Sequence, residues 1–428
     1  MKKDRTKSAL PTPVFASGGA SLGQLVLPGL LIDARRALRE LVMQSGLAVF
    51  SALLEQDRAA LCGPRGRFQK DRQAYRHGHD VGQVVLGGRK VRLRKPRARS
   101  LDGRELDLPS WRQVTLEDPL QDRVLEQMLV GVSTRHYARS LEPLQEGIEE
   151  TGTRRSSVSR HFVARTAAQV EVFLSQPLDT IDLPVIQLDG VGLGDHLMLV
   201  AIGIDSSGTK HVLGVTEGSS ESEAVCTGLL RQLIDRGLPV ERARLFVIDG
   251  GRGLRKAIRV VFGEWSLVQR CQVHKLRNIL EHLPERQKAW VKAAVHRAWA
   301  SDSVDRARRR LKDLAAQLRD GHPGAAGSIE EGLDETLTIL ALGIDGALHR
   351  TLRSTNPIEN TQGTIRRVTR NVKRWRGGFM ALRWVVTALG EAQKGFRRVK
   401  GYRDLPRLIA ALEATIQGSS VDRQVKIA

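Results

Sequence analysis

Three acidic residues, Asp189, Asp249 and Glu359, stand where carboxylates could hold metal ions. Asp189 and Asp249 each follow a short apolar run and precede a glycine, and Glu359 follows Asn356-Pro357 at the start of a basic segment. Phosphodiester chemistry by two Mg2+ ions needs about three converging carboxylates, with the ions roughly 3.5 to 4 Å apart. We therefore predict that these three residues are the catalytic acids and the metal ligands of one site.

Each of these acids also has an ordinary structural explanation. Asp-Gly at a strand end is a common turn signal, so either aspartate taken alone fits a turn. Asn356-Pro357-Ile358-Glu359 fits a capping box, with Asn356 as the cap, Pro357 at the first helical position and Glu359 at the third. The two roles of Glu359 are compatible, because a helix N-terminus favours the ionised carboxylate that a metal requires.

The elements that would position the two aspartates follow a mixed α/β pattern. The predicted order is strands at 185–188, 197–204 and 211–215, a helix at about 220–236, a strand at 245–248, a helix at about 252–261 and a strand at 267–269. This βββαβαβ order is typical of a ribonuclease-H-like mixed sheet, in which the first and fourth strands are neighbours. Since Asp189 and Asp249 close these two strands, we expect them to lie side by side.

The distance from Asp249 to Glu359 is 110 residues, too long for a minimal fold of this kind. Residues 283–350 have helical patterns and few strand formers, so they predict a helical insertion before the last catalytic helix. The catalytic domain would then comprise residues 179–282 and 351–400, followed by a tail over 401–428. The insertion is expected to hold DNA over the site, and a plain packing domain is the alternative.

The charge of the chain is strongly positive, with 68 Lys and Arg against 47 Asp and Glu, a net charge of +21. Residues 65–99 hold 12 basic and two acidic residues, and residues 361–400 hold 11 and one. A single charge run is often a solvated face. Two such runs around a nearly neutral middle favour a polyanionic partner, most commonly nucleic acid.

The N-terminal part predicts DNA-binding elements. Residues 1–28 are predicted to be a loose tail. Residues 29–115 are predicted to form a DNA-binding region that contains a helix at 30–61 and a basic β-hairpin around Gly87-Gly88. This hairpin would display Arg92 and Arg94 on one face. Residues 116–178 predict three helices that fit a helix-turn-helix, with Ser156 as the cap of the last and Arg160 offered to a groove. A purely structural helical bundle is the alternative.

Several longer motifs occur in a fixed order: YRHG, VVLGGRKVRLRKPRARS, LDGVGLGDHLMLVAIGIDSSGTKHVLGVTEGSSES, FVIDGGRGLRKAIRVVFG, QRCQVHKLRNILEHLP and STNPIEN. In these motifs the chain resembles the Mutator-type bacterial insertion-sequence transposases, which carry an Asp-Asp-Glu triad. The resemblance covers roughly residues 75–398. Carried over by position, the triad falls on Asp189, Asp249 and Glu359, and the resemblance also implies the helical insertion.

The pair Cys271 and His274 has residue types that suit zinc, but it offers two of the usual four ligands and no second pair has suitable spacing. In the family that the chain resembles, this pair directly follows the fifth strand. We therefore interpret it as supporting the site or contacting DNA. The neighbouring Arg270, Lys275 and Arg277 favour phosphate contact.

These observations together predict a DNA transposase: Mg2+-dependent hydrolysis at element ends, then attack of the exposed 3′-OH on target DNA. Two Mg2+ ions are expected, with Mn2+ as a substitute, and the partners are double-stranded terminal inverted repeats and target DNA. The residues expected to bind DNA are Arg89, Lys90, Arg92, Arg94, Arg160, Arg270, Lys275, Arg277, Arg366, Arg367, Arg370, Lys373 and Arg374. The alternatives are a ribonuclease-H-like nuclease without strand transfer and an inactive DNA-binding regulator.

Assembly and location follow from simpler arguments. Two element ends must be handled together, so a homo-oligomer is expected, and the resemblance suggests copy-out through a circular intermediate. Three cysteines in 428 residues do not make a disulfide framework, which favours a reducing compartment. No apolar run reaches the roughly 18 residues of a membrane span, and the start lacks an apolar signal core. We expect a bacterial cytoplasmic protein associated with the nucleoid.

Overall fold

The computed structural model describes residues 23–67, 70, 72–116, 119–142, 148–218 and 220–427. The chain divides into two compact units, residues 1–120 with 136–154 and residues 121–135 with 155–428. None of the described helices combines the length and the hydrophobicity that a membrane span requires. Most of the predicted tail over residues 1–28 lies outside the described residues.

The first unit is built around a basic hairpin. Its elements are α1 (Gly23–Cys62), β1 (Ala74–Leu86), β2 (Arg89–Ser100), β3 (Glu105–Leu106), α2 (Pro109–Leu116) and β4 (Glu150–Thr151). β1 and β2 pair antiparallel, and the turn uses Gly87 and Gly88 at φ of 58° and 80°, a region that glycine adopts without strain. The hairpin agrees with the prediction, whereas α1 begins at Gly23, so the predicted tail is wrong for residues 23–28.

The region predicted as a helix-turn-helix has a different order of elements. α3 (Pro119–Leu129) and α4 (Arg155–Ser175) are separated by turns, a short 3-10 helix at Ala138–Ser140 and the strand β4. The described residues between α3 and α4 contain no α-helix, so the predicted three-helix order is wrong. The physical reason is that the chain at 149–151 bonds to β2 as an extended edge, with Arg92 N donating to Glu149 O at 3.2 Å. Ser156 lies inside the first turn of α4 and is not its cap.

The second unit contains a five-stranded mixed sheet. Its elements are β5 (Val185–Leu193), β6 (His196–Ile204), β7 (Lys210–Gly218), α5 (Glu223–Asp235), β8 (Arg244–Ile248), α6 (Arg252–Phe262) and β9 (Ser266–Arg270). The strand order is β7-β6-β5-β8-β9; the β5–β6 and β6–β7 pairs are antiparallel, and the β5–β8 and β8–β9 pairs are parallel. The predicted order of strands and helices agrees with this order.

The two faces of the sheet bury different helices, because neighbouring residues of a strand point to opposite faces. Ile186 and Leu188 pack with α5 and α6, which contribute buried residues such as Leu230 and Ile258. Val185, on the opposite face, packs with the C-terminal helices. Asp189 shares the face of Val185, so its side chain is directed away from α5 and α6.

Helices alone follow the sheet in the described residues. They are α7 (Gln272–Glu281), α8 (Glu285–Trp299), α9 (Val304–Arg319), α10 (Pro323–Glu330), α11 (Thr338–Ala341), α12 (Gly346–Leu352), α13 (Asn356–Thr369), α14 (Gly378–Lys394) and α15 (Leu405–Ile427), with a short 3-10 helix before α11 and another before α15. The helices α7 to α10 bury a core of their own, so residues 283–350 are helical as expected. The predicted C-terminal tail is wrong: α15 places Leu405, Leu408, Leu412 and Ile416 in the core beside the sheet.

Candidate active site

Parallel pairing of β5 and β8 brings Asp189 and Asp249 together. The last paired residues are Leu188 and Ile248, and each aspartate is the next residue on its strand or just after it. Asp249 follows the end of β8, whereas Asp189 lies inside β5, which continues to Leu193, so the expectation that it closes its strand is wrong. Register, rather than a strand end, therefore sets the position of Asp189.

Hydrogen bonds hold both aspartates in place. The Asp189 Oδ1 atom accepts from the backbone N–H of Gly190 at 3.0 Å, and its Oδ2 accepts from Nε2 of the buried Gln362 at 2.7 Å. The Asp249 Oδ1 atom accepts from the backbone N–H of Gly251 at 2.9 Å. Each carboxylate keeps acceptor capacity, because an ionised carboxylate has about four lone-pair sites.

A third carboxylate joins the two aspartates, and it belongs to Glu221 in the segment between β7 and α5. One carboxylate oxygen from each of Asp189, Glu221 and Asp249 lies within 4.8 Å of the others. Burial, followed by the charges of neighbouring acids, raises the pKa of Asp189 to about 6 and that of Glu221 to about 7. Three carboxylates in one partly buried place are therefore a site where a divalent cation would be favourable.

Glu359 lies in the first turn of α13, but the capping box expected for this turn is wrong. Thr355, not Asn356, is the residue that precedes the helix, and no side chain caps the helix N-terminus. The Thr355 hydroxyl lies 3.0 Å from the Glu359 carboxylate. The helix begins at Asn356 because Pro357 is tolerated within the first turn, where its missing N–H has no partner to lose.

Cys271 and His274 stand beside Glu359. The Cys271 Sγ atom caps α7 by accepting from His274 N at 3.5 Å, and it accepts from the N–H of Thr355 at 3.4 Å. Ligand atoms of Cys271, His274 and Glu359 lie within 4.8 Å of one another, with His274 Nε2 at 4.0 Å from Glu359 Oε1. A hydrogen bond with Cys271, together with the neighbouring acids, raises the pKa of His274 to about 9.

The predicted triad is thus divided between two adjoining groups. Asp189 and Asp249 form one group with Glu221, and Glu359 forms the other with Cys271 and His274. The two groups interact electrostatically, because the charge of His274 lowers the pKa of Asp189 and the charge of Glu359 raises it. The helix α13 also links them, since Gln362 lies one turn after Glu359 and bonds to Asp189.

The amino-acid sequence also matches a known protein family. A family model described as Transposase, Mutator family matches residues 31–399. The chain belongs to this family.

Curated relatives agree with that assignment. The transposase for insertion sequence element IS6120 of Mycolicibacterium smegmatis is 30% identical over 254 residues, which cover 57% of this chain and 75% of the relative. The transposase for ISRM5 of Rhizobium meliloti is 27% identical over 383 residues, 89% of this chain and 93% of the relative. The transposase for IS1081 of Mycobacterium tuberculosis is 26% identical over 416 residues, 90% and 95% respectively. The chain therefore spans most of the length of its transposase relatives.

Most of the basic residues that sequence assigned to DNA are exposed in this transposase. Arg366, Arg367, Arg370, Lys373 and Arg374, on α13 and just after it, are all exposed; we call them the α13 basic patch. Arg160, Arg277 and Arg94 are exposed as well, and Arg92 is exposed but paired with Glu149. Lys90 is half-buried on β2.

Three of the residues predicted to bind DNA are buried, so their side chains are not exposed for that contact. Arg270 and Lys275 both donate to the backbone carbonyl of Glu331, and burial lowers the pKa of Lys275 to about 8. Arg89 is buried and pairs with Glu150 at 2.8 Å. The contacts of these three cations are therefore structural, because a buried charge needs a nearby acceptor or an opposite charge.

Two residues of the site were missed by sequence reasoning. Glu221 lies in a polar turn before Ser222, which caps α5, so its composition signals a turn alone. Gln362 had a usable signal: it is three residues after Glu359 and therefore on the same side of α13.

Proposed function

We propose that the chain is a DNA transposase that cleaves insertion-sequence ends by two-metal phosphodiester hydrolysis and joins the 3′-OH to target DNA. The observation that carries the proposal is the convergence of Asp189 and Asp249, with a further carboxylate, beside the parallel pair β5–β8 in a chain of this family. The strand order, with three antiparallel strands first and two parallel strands after them, supports a ribonuclease-H-like catalytic domain.

The donor set fits Mg2+, which prefers hard oxygen ligands and keeps several waters. In our proposal Asp189 and Asp249 would hold or flank the two metal ions, and Glu359 would hold the second ion. When bound, two Mg2+ ions would stabilise the attacking and leaving oxygens of the phosphodiester. Mn2+ accepts the same oxygen ligands and is expected to substitute.

The remaining residues orient these acids. Gln362 fixes the rotation of the Asp189 carboxylate, and the N–H of Gly251 fixes that of Asp249. His274, with its raised pKa, carries a positive charge at neutral pH and lies beside Glu359, where it offers that charge to a phosphate oxygen. Cys271 supports His274 and the start of α13 through its contacts with Thr355.

The DNA contacts are assigned to exposed cations. The α13 basic patch follows Glu359 on the same helix and its C-terminal extension, so DNA bound there would reach the acids. The hairpin residues Arg92 and Arg94, with Arg160 and Arg277, are proposed to contact terminal repeats or target DNA. A homo-oligomer is proposed because two ends must be joined in one event.

The test is a cleavage and joining assay with the full chain, Mg2+ and duplex DNA carrying the inverted repeats that flank its gene. The expected result is a cut that exposes a 3′-OH at the repeat end, followed by covalent joining to a second duplex. Cutting without joining would indicate a nuclease. Binding without cutting would indicate a regulator, and either outcome would contradict the proposal.

A separate prediction concerns Cys271 and His274. We expect the purified chain to contain no stoichiometric zinc, because the Cys271 sulfur already accepts hydrogen bonds from the backbone N–H groups of Thr355 and His274. Cys271→Ser should fold, since a hydroxyl oxygen can accept the same bonds, and His274→Ala should fold but cleave poorly. Mass spectrometry of the untagged protein measures the zinc. One equivalent of zinc, lost in Cys271→Ser together with the fold, would show a structural metal site instead.

A further inference from the structure

Glu221 is the residue of the acidic group that the predicted triad does not use. One of its carboxylate oxygens lies within 4.8 Å of a carboxylate oxygen of Asp189 and of Asp249, whereas Glu359 belongs to the other group. Glu221 lies between β7, which ends at Gly218, and α5, which begins at Glu223. The group therefore has one acid from each of three separate segments.

The hydrogen bonding of Glu221 differs from that of the other acids. Asp189, Asp249 and Glu359 each accept a hydrogen bond from Gln362, Gly251 and Thr355, respectively. Within the part of the chain that the structure describes, Glu221 has no hydrogen bond and no ion pair.

A half-buried carboxylate without a donor, beside two others, is electrostatically unfavourable. A divalent cation between the three carboxylates would offset this repulsion. Glu221 is thus placed where a ligand oxygen is needed, and the nearby charge of His274 favours its ionised form without forming an ion pair with it.

Glycines make the approach of Glu221 possible. A Cβ atom on Gly190, next to Asp189, would lie 2.4 Å from Glu221 Oε1, and one on Gly251 would lie 3.1 Å from Glu221 Oε2. A Cβ on Gly253 would lie 2.2 Å from the Glu221 backbone oxygen. The carboxylate therefore occupies a cradle that any larger residue at these positions would fill, and the first turn of α6 packs directly on its backbone.

We propose that Glu221 is a third carboxylate ligand of the metal position held by Asp189 and Asp249, an inference that rests on the proposed function. Glu359, in the adjoining group with His274, then serves the second metal position. The site would hold its ions with four acids, of which Glu221 contacts the ion shared by the aspartates.

The experiment measures Mn2+ binding to the full chain without DNA, by calorimetric titration and by thermal unfolding. Glu221→Gln keeps the shape and removes the charge, and the expected result is an affinity for Mn2+ weakened at least about tenfold, as befits loss of a direct ligand. Without metal, the same variant should unfold at the wild-type temperature or above it, because one of three repelling charges is gone. The added Mn2+ should then stabilise wild type more than the variant.

Glu223→Gln is the matched control. Glu223 lies two residues away, is exposed and pairs with Lys256 at 3.6 Å, outside the acidic group. Its Mn2+ affinity and its metal-dependent stabilisation should equal those of wild type. A solely structural role of Glu221 would instead lower the unfolding temperature of Glu221→Gln both with and without metal.

The outcomes separate the inference from the proposed function. If wild type binds Mn2+ and cleaves DNA while Glu221→Gln binds Mn2+ with unchanged affinity, the inference is overturned and the transposase proposal stands. If wild type neither binds Mn2+ nor cleaves, both are overturned. Should Glu221→Gln fail to fold, Glu221→Asp keeps the charge but withdraws the oxygens, and a wild-type Mn2+ affinity in that variant would equally overturn the inference.

Discussion

Asp249→Asn is expected to abolish strand cleavage while leaving DNA binding intact, and Asp189→Asn and Glu359→Gln are expected to do the same. An amide offers a metal a neutral oxygen in place of an anionic one, so the loss should be at least about 100-fold, or about 2.7 kcal/mol of barrier. Binding should persist because the exposed basic residues are unchanged. Single-turnover cleavage of a labelled terminal repeat, with a mobility-shift assay of the same DNA, measures both quantities.

Asp195→Asn is a suitable control, because Asp195 is an exposed residue of the turn between β5 and β6. It should cleave like wild type. The stability of Glu359→Gln must be measured as well, since the Glu359 carboxylate also accepts a hydrogen bond from Thr355 at the start of α13. If Glu359→Gln loses stability while its folded fraction cleaves normally, Glu359 has a structural role and not a catalytic one.

The positions of Asp189 and Asp249 could be predicted because they depend on strand order. Short apolar runs gave the strands, and parallel pairing of β5 with β8 makes the residues after Leu188 and Ile248 neighbours. The prediction that Asp189 closes β5 was wrong, because the end of β5 is set by its pairing with β6, which continues to Leu193.

Glu221 could not be predicted from the same reasoning. Its approach to the aspartates depends on the path of a polar turn and on the missing side chains of Gly190 and Gly251. None of these features produces a periodic pattern of apolar residues that sequence analysis could detect. The grouping of Glu359 with Cys271 and His274 likewise depends on contacts through Thr355, which join segments about 80 residues apart in the chain.

The DNA-binding assignment did not anticipate that some of the basic residues are buried. Arg270, Lys275 and Arg277 look alike in sequence, but the first two reach Glu331 and the third is exposed. The pairing partner is more than 50 residues away in the chain, so local charge counting cannot separate a solvated cation from a buried one. The spacing of Leu405, Leu408, Leu412 and Ile416, by contrast, is helical and could have identified α15.

Replacing Arg366, Arg367 and Lys373 of the α13 basic patch by Ala should weaken DNA binding and flatten its salt dependence. Each lost phosphate contact changes the slope of log affinity against log salt by about 0.9, so three contacts change it by about 2.7. All three are exposed, and none has an ion pair among the described residues, so their charge is available to DNA. Titrations at several salt concentrations measure the slope.

A control with the same change in net charge replaces Arg306, Arg308 and Arg319 by Ala. Each of these surface arginines is already paired with an acid, namely Asp302, Asp305 with Asp334, and Glu330. If specific phosphate contacts at α13 cause the effect, the control slope should stay close to that of wild type. Equal changes in both triple variants would show that net charge alone attracts DNA, and an unchanged slope in the first would show that the α13 basic patch is a solvated face.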